Sequence, residues 1–105
     1  MKFLNVSATT DGDNELVAAA DVPDDKRIRV INYAVNANAA GVFKFQTTEA
    51  TPTVLATFEL ADSASPQVFN GTNTSPAFDL PLGVGLEINV ANSMDVLGHL
   101  CYMIV

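Results

Sequence analysis

The chain has 105 residues, which is enough for one domain with a single core and too short for two. Its formal charge of −7, from 12 acidic and 5 basic residues, repels a phosphate backbone, so nucleic acid is excluded as an expected partner. Only 16% of the residues are charged, against roughly 25% in an average soluble domain. This apolar surplus predicts that part of the surface faces a partner.

The single cysteine, Cys101, excludes an internal disulfide framework and a cysteine-rich zinc site. No stretch approaches the roughly 18 apolar residues of a membrane span, so we expect no membrane partner. The opening residues MKFLNVSATTDGDNE lack the apolar core of a signal peptide, which leads us to expect synthesis in a cytoplasm.

Apolar residues alternate with polar ones at a period of two, which predicts β-strands. In chain order we predict eight strands, near 2–9, 15–20, 26–37, 41–48, 53–61, 66–70, 83–91 and 95–105. The stretch ELVAAAD could instead form a helical turn, but it is too short for a helix. In the third strand the apolar phase shifts near Val30, so either a β-bulge resets the register or the strand is buried on both faces.

The alternation of apolar residues in the middle strands predicts which side chains face the core. Phe43 and Phe45 share one face of the fourth strand, and in the fifth the alternation aligns Val54, Ala56, Phe58 and Leu60. After the sixth strand, Asn70–Gly71 predicts a hairpin with a type I′ turn, because these residues readily adopt positive φ angles. The seventh strand points Leu86, Ile88 and Val90 to one side.

The closing stretch DVLGHLCYMIV is apolar on both faces apart from His99 and the hydroxyl of Tyr102. We therefore expect it to be an internal strand, covered on both sides, with a neighbouring subunit as a candidate for one covering layer. Eight short strands without a long linker predict an all-β, single-domain, two-sheet antiparallel sandwich of jelly-roll type over residues 1–105.

Catalytic and metal motifs are weak. His99 and Cys101 leave the same strand face, but no acid near them orients a base, so we interpret both as packing residues and expect no catalytic residue and no enzyme. The stretch DGDNE begins like a calcium loop, yet Leu16 and Val22 occupy the positions that need glycine and glutamate. We interpret it as a solvated acidic turn and expect neither a metal nor a cofactor.

The stretch VPDDKRIR places two aspartates beside three of the five basic residues. It fits a turn entering a strand whose edge is kept soluble by mixed charge, and it also fits a polar docking patch for a protein partner. Combined with the closing strand, the second interpretation selects a set of candidate contacts with another copy of the chain or with a protein partner: Lys26, Arg27, Arg29, His99, Tyr102, Met103 and Val105.

Three stretches carry a resemblance to a known group: KRIRVINYAVNANAAGVFKF, LPLGVGLEINVANS and VLGHLCY. From about Asp21 to Val105 the chain resembles small head decoration (cement) proteins of tailed bacteriophages. The resemblance implies a jelly roll that sits as a homotrimer on the outer capsid face, in the virion, and clamps neighbouring subunits of the major capsid protein. Synthesis then takes place in the host cytoplasm. The polar stretch NGTNTSPAFD departs from many such proteins and predicts a lengthened surface loop.

A second hypothesis of a different class is a carbohydrate-binding β-sandwich module associated with a phage tail or fibre. Such sites usually expose aromatic side chains. The sequence has no tryptophan, and its two tyrosines, Tyr33 and Tyr102, fall inside predicted strands, which favours the decoration hypothesis.

Overall fold

The computed structural model describes residues 1–61, 66–91 and 93–105. Within these residues the chain forms nine strands and one short 3-10 turn at Ala19–Asp21. The strands are β1 (Lys2–Ala8), β2 (Gly12–Val17), β3 (Ile28–Ala37), β4 (Gly41–Thr47), β5 (Val54–Leu60), β6 (Gln67–Phe69), β7 (Phe78–Asp79), β8 (Leu86–Val90) and β9 (Val96–Ile104). None of the described residues forms a helix long and apolar enough to cross a bilayer.

The strands form two antiparallel sheets that pack face to face. Sheet A has the order β1-β9-β3-β6, with the short β7 also paired to β3, and sheet B has the order β2-β8-β4-β5. The pairs are therefore nested, because β1 pairs with β9, β2 with β8, β3 with β6 and β7, and β4 with β5. This nesting is the jelly-roll arrangement of a two-sheet sandwich. The predicted fold class is confirmed, with β7 as an additional two-residue strand.

The core lies between the sheets and follows the period-two alternation. Leu86, Ile88 and Val90 on β8 are fully buried, as are Phe43 and Phe45 on β4. Across from them, sheet A contributes a row of buried side chains: Val6, Ala8, Ile28, Val30, Tyr33, Val35, Ala37, Val96 and Leu100. The ring of Tyr33 joins the two layers, with its centroid 5.2 Å from that of Phe45 and 6.0 Å from that of Phe58.

The phase shift in β3 is a β-bulge. Val30 lies opposite Tyr102 and Asn32 lies opposite Cys101, so Ile31 is the extra residue between two consecutive pairs. An extra residue restores the inward alternation, so that Ile28 and Val30 before it and Tyr33 and Val35 after it all face the core. Ile31 itself is buried outside that core cluster.

The predicted hairpin at Asn70–Gly71 is wrong. β6 and β7 are both antiparallel to β3, so they run in the same direction and do not pair with each other. The tight turn of this segment lies further on, where Thr72 and Ser75 form an antiparallel bridge. Gly71 does not have a positive φ angle. Glycine is needed there for space, because an added Cβ would lie 2.2 Å from the carbonyl oxygen of Ile31.

Two further predictions need correction at their boundaries. The second strand begins at Gly12 rather than near residue 15 and ends at Val17, because the following alanines enter the 3-10 turn. In β5, Ala56, Phe58 and Leu60 pack against the core, whereas Val54 is exposed. The pairing register of β4 and β5 shifts between Phe45 and Gln46, and this shift places Val54 opposite the outward-facing Gln46.

The closing strand, β9, is internal to sheet A, as predicted, because it lies between β1 and β3. Its end is held by Arg27, whose N–H donates to the carbonyl of Val105 and whose carbonyl accepts the N–H of Val105, both at 2.9 Å. The prediction that both faces are covered is only partly right. Cys101 is 5% exposed on the outer face, but Leu97, on the same face, is 51% exposed.

Two leucines of β9 form a matched pair that tests this description. We expect Leu100→Ala to lower the free energy of unfolding by about 2–5 kcal/mol, because a fully buried side chain leaves a cavity. Leu97→Ala, on the exposed face of the same strand, should change it by no more than about 0.5 kcal/mol. Urea unfolding of both variants measures the difference, and equal losses would contradict the assignment of faces.

Candidate functional site

The two outer faces of the sandwich differ in chemistry. The outer face of sheet A is formed by alternate residues of its strands: Phe3, Asn5, Ser7, Leu97, His99, Cys101, Met103, Arg29, Asn32, Ala34, Asn36, Val68 and Asp79. Three apolar side chains there are well exposed, Phe3 at 80%, Val68 at 56% and Leu97 at 51%. Arg29 and Asp79 neutralise each other on this face, so it carries no net charge when His99 is neutral.

The outer face of sheet B is polar and acidic. Its outward positions hold four carboxylates against one ammonium group: Asp13, Glu15, Glu59 and Glu87 against Lys44. The negative charge of the protein is therefore distributed unevenly, with sheet A presenting its uncharged side. An exposed and partly apolar sheet face is the kind of surface that protein contacts use.

Five of the seven predicted contact residues lie at or next to one end of sheet A. Arg29 and Met103 lie directly opposite each other, and Arg27 and Val105 are joined by backbone hydrogen bonds one step further along. Lys26 lies in the loop before these residues, and its carbonyl accepts a hydrogen bond from the N–H of Gly83.

The other two predicted residues lie apart from that group. His99 is on the same outer face but further along β9, opposite Asn5 on one side and Ala34 on the other. Tyr102 points the other way and packs against the core. His99 and Met103 therefore lie on the outer face of sheet A, whereas Tyr102 is partly buried in the interior.

Arg29 holds a loop over its end of the sheet. Its guanidinium donates two hydrogen bonds to Asp79, at 2.8 and 3.0 Å, and two to the carbonyl and side-chain oxygens of Asn73, at 3.2 and 2.9 Å. The hydrogen bond from Arg29 holds the pKa of Asp79 below its ordinary value. The polar stretch predicted as a surface loop is thus tied to β3 by an arginine that sequence analysis assigned to docking.

The candidate calcium turn uses its carboxylates within the protein. Asp11 accepts hydrogen bonds from the backbone N–H and the hydroxyl of Ser93, at 2.8 and 3.3 Å. Asp13 accepts from Gln46 at 3.1 Å and from Asn89 at 2.7 Å. Among the described residues, no group of three histidine, cysteine or acidic side chains is arranged to hold a metal ion.

A polar network missed by sequence analysis crosses the outer face of sheet B. The side-chain amide of Gln46 donates both to Asp13 on β2 and to Glu87 on β8, and the latter hydrogen bond is 2.5 Å long. Glu87 is only 8% exposed. The only signal in the sequence is one polar residue at an outward position on each of three strands, and joining them requires the sheet order.

The surroundings of Glu87 raise the pKa of its carboxyl group. Burial raises the pKa of the Glu87 carboxyl, and the neighbouring carboxylates of Asp13 and Glu15 raise it further, while the hydrogen bond from Gln46 opposes the rise. The folded state therefore binds a proton more tightly at Glu87 than the unfolded chain does.

The described residues form no pocket for a small molecule. No protein-family model matches the chain, and neither the curated proteins nor the solved structures contain a significant match to it. The candidate site that emerges is therefore a surface, the outer face of sheet A.

Glu87→Gln tests the buried network. A carboxyl whose pKa is raised on folding contributes stability that is complete below the unfolded value of about 4.3 and is lost as the pH rises through the folded pKa. We expect the wild-type protein to lose that contribution as the pH rises above about 4.3, and Glu87→Gln to remove this dependence and to be the more stable form at the upper end of the pH range.

Thermal unfolding from pH 4 to pH 8 measures this, with Glu59→Gln, an exposed glutamate on the same face, as the matched control. A Glu87→Gln variant that follows the wild-type pH profile would contradict the assignment.

Proposed function

We propose that this protein is a non-enzymatic structural protein of a virion, a decoration or cement protein that binds the outer face of a phage head as a homotrimer. The observation that carries the proposal is the outer face of sheet A, which is without net charge and partly apolar on a jelly roll that is otherwise acidic. Through this face the protein stabilises the contacts between neighbouring subunits of the major capsid protein. The resemblance of the stretches from Asp21 to Val105 to head decoration proteins supports the same assignment.

The distribution of charge supports a protein partner. A face without net charge loses little electrostatic solvation when it is covered, and its exposed leucine, valine and phenylalanine gain from burial. The acidic face of sheet B stays in water, where its charge keeps the assembled particle soluble. A decoration protein on the outer surface of a shell does not contact the packaged genome, so a charge of −7 does not hinder it.

The alternative, a carbohydrate-binding module of a tail or fibre, has less support. Protein sites for sugar rings use exposed aromatic faces in a groove. Tyr33 and Tyr102 face the core, and although Phe3 is highly exposed, the described residues form no groove beside it.

We predict a homotrimer in solution. The motive is the apolar surplus of the chain together with the family resemblance, and static light scattering at micromolar concentration should give a mass of three subunits of 11.1 kDa, or a multiple of three where trimers associate further. A mass of one subunit over that concentration range would contradict the trimer.

Binding to the head gives the decisive test of function. Cryo-electron microscopy of the parent virion should show density for this protein at symmetry axes of the outer capsid surface. Leu97→Asp places a charge at the centre of the proposed binding face, and we expect it to lower the occupancy on heads by at least tenfold, since an unpaired charge is costly to bury.

Thr57→Asp is the matched control, because Thr57 is an exposed mid-strand residue on the outer face of sheet B. It should bind as the wild-type protein does. If Thr57→Asp abolishes binding and Leu97→Asp does not, the binding face is sheet B and our assignment of the surface is wrong. The absence of the protein from purified virions would refute the function itself.

A further inference from the structure

The two sheets have four edges, and three of these edges carry features that discourage pairing with another chain. The edge strand β2 has a register shift between Glu15 and Val17, and it presents acidic side chains outward. At the far edge of sheet A, β6 and β7 are short and separate, of three and two residues. The edge strand β5 follows Pro52, has a shifted register against β4, and carries Glu59.

The fourth edge, β1, lacks these features. It is seven residues long, and each of its residues pairs in an uninterrupted register with β9, from Lys2 opposite Tyr102 to Ala8 opposite Val96. It contains no proline, no bulge and no acidic residue, and its one charged side chain, Lys2, lies at its first position. Among the described residues, no strand pairs with its other side. A long, regular and unprotected edge is a template for strand addition.

We propose that β1 pairs with β1 of a second copy of this chain, in antiparallel orientation, so that sheet A continues across a two-fold axis. An antiparallel pair of identical strands is self-complementary, which is the requirement of a two-fold contact. The register that uses all seven residues places Asn5 opposite the same residue of the other copy. Phe3 then lies opposite Ser7, Leu4 opposite Val6, and Lys2 opposite Ala8.

The side chains fit that register. Opposite residues of an antiparallel pair point to the same side, so Leu4 and Val6 extend the apolar row that faces the core, and the highly exposed Phe3 covers a small neighbour, Ser7. No like charges lie opposite each other, because Lys2 faces alanine. On a chain of net charge −7, β1 is the edge whose self-pairing brings no carboxylates into register.

This contact goes beyond the proposed function, because it joins copies in pairs and is separate from any threefold contact within a trimer. Failure of the pairing would leave capsid binding intact, and failure of capsid binding would leave the pairing intact. The two proposals are therefore tested by different measurements.

Cysteine cross-linking tests the register. Opposite residues of an antiparallel pair have Cα atoms about 4.5–5.5 Å apart, which lies within the range that a disulfide spans. Asn5→Cys should form a disulfide-linked pair of chains under mild oxidation at least tenfold faster than Asn36→Cys. Asn36 is the matched control, since it is an exposed asparagine on the same outer face but on the internal strand β3. Equal rates for the two variants would overturn the proposal.

A charge at the same position tests the energetics. Asn5→Lys places two ammonium groups opposite each other, and we expect it to weaken pairing at least tenfold in sedimentation velocity, whereas Asn36→Lys should change it by less than twofold. Thermal unfolding of both variants verifies that each one is folded. If Asn5→Lys pairs as tightly as the wild-type protein, the proposal is also overturned. This outcome is independent of whether the variants form trimers.

Discussion

The insertion of β9 between β1 and β3 is the constraint on which the rest of the structure depends. It joins the first and last strands of the chain, through seven residue pairs with β1 and nine with β3. Gly98 permits the close approach, because a Cβ there would lie 2.0 Å from the carbonyl oxygen of Ala34. Without β9, β1 has no partner strand and β3 loses the neighbour against which its bulge is defined. The nested pairing of the other strands then follows from this closure.

The same closure determines the chemistry of the two surfaces. With β9 central in sheet A, its alternate residues from Leu97 to Met103 face outward, beside asparagine, serine and alanine on the neighbouring strands. In sheet B, β8 lies between β2 and β4, so Glu87 is placed beside both an acidic strand and the amide of Gln46. One face therefore becomes neutral and partly apolar, while the other becomes an acidic hydrogen-bonded layer. Both proposed contacts use sheet A, one through its face and one through its free edge.

A jelly roll by itself does not indicate a function, because the architecture supports many. The proposed function rests instead on the chemistry of the surface. Arg29 uses its guanidinium to bind Asp79 and Asn73, so its main role within the chain is to hold the loop between β6 and β7. His99 and Met103 remain on the outer face, where a partner can reach them. The proposed contact surface is therefore centred on the middle of β9 rather than on the basic stretch alone.

The sequence by itself determined the strands other than β7 and most of their inward faces, because alternation of side chains is a local property of extended chain. Val54 is an exception, since a register shift between β4 and β5 turns it outward. The sequence also predicted an internal closing strand and the phase shift at Val30, and it left open whether a bulge caused that shift. The order of the strands, by contrast, was decided by pairing between distant segments. Arg29 and Asp79 are 50 residues apart, and Gln46 and Glu87 are 41 apart. Neither contact has a local signal. The same reason explains the error at Asn70–Gly71, where a local turn preference lost to the pairing of β6 and β7 with one strand, β3. Local sequence specifies which way a side chain points, and only the tertiary structure specifies what it meets.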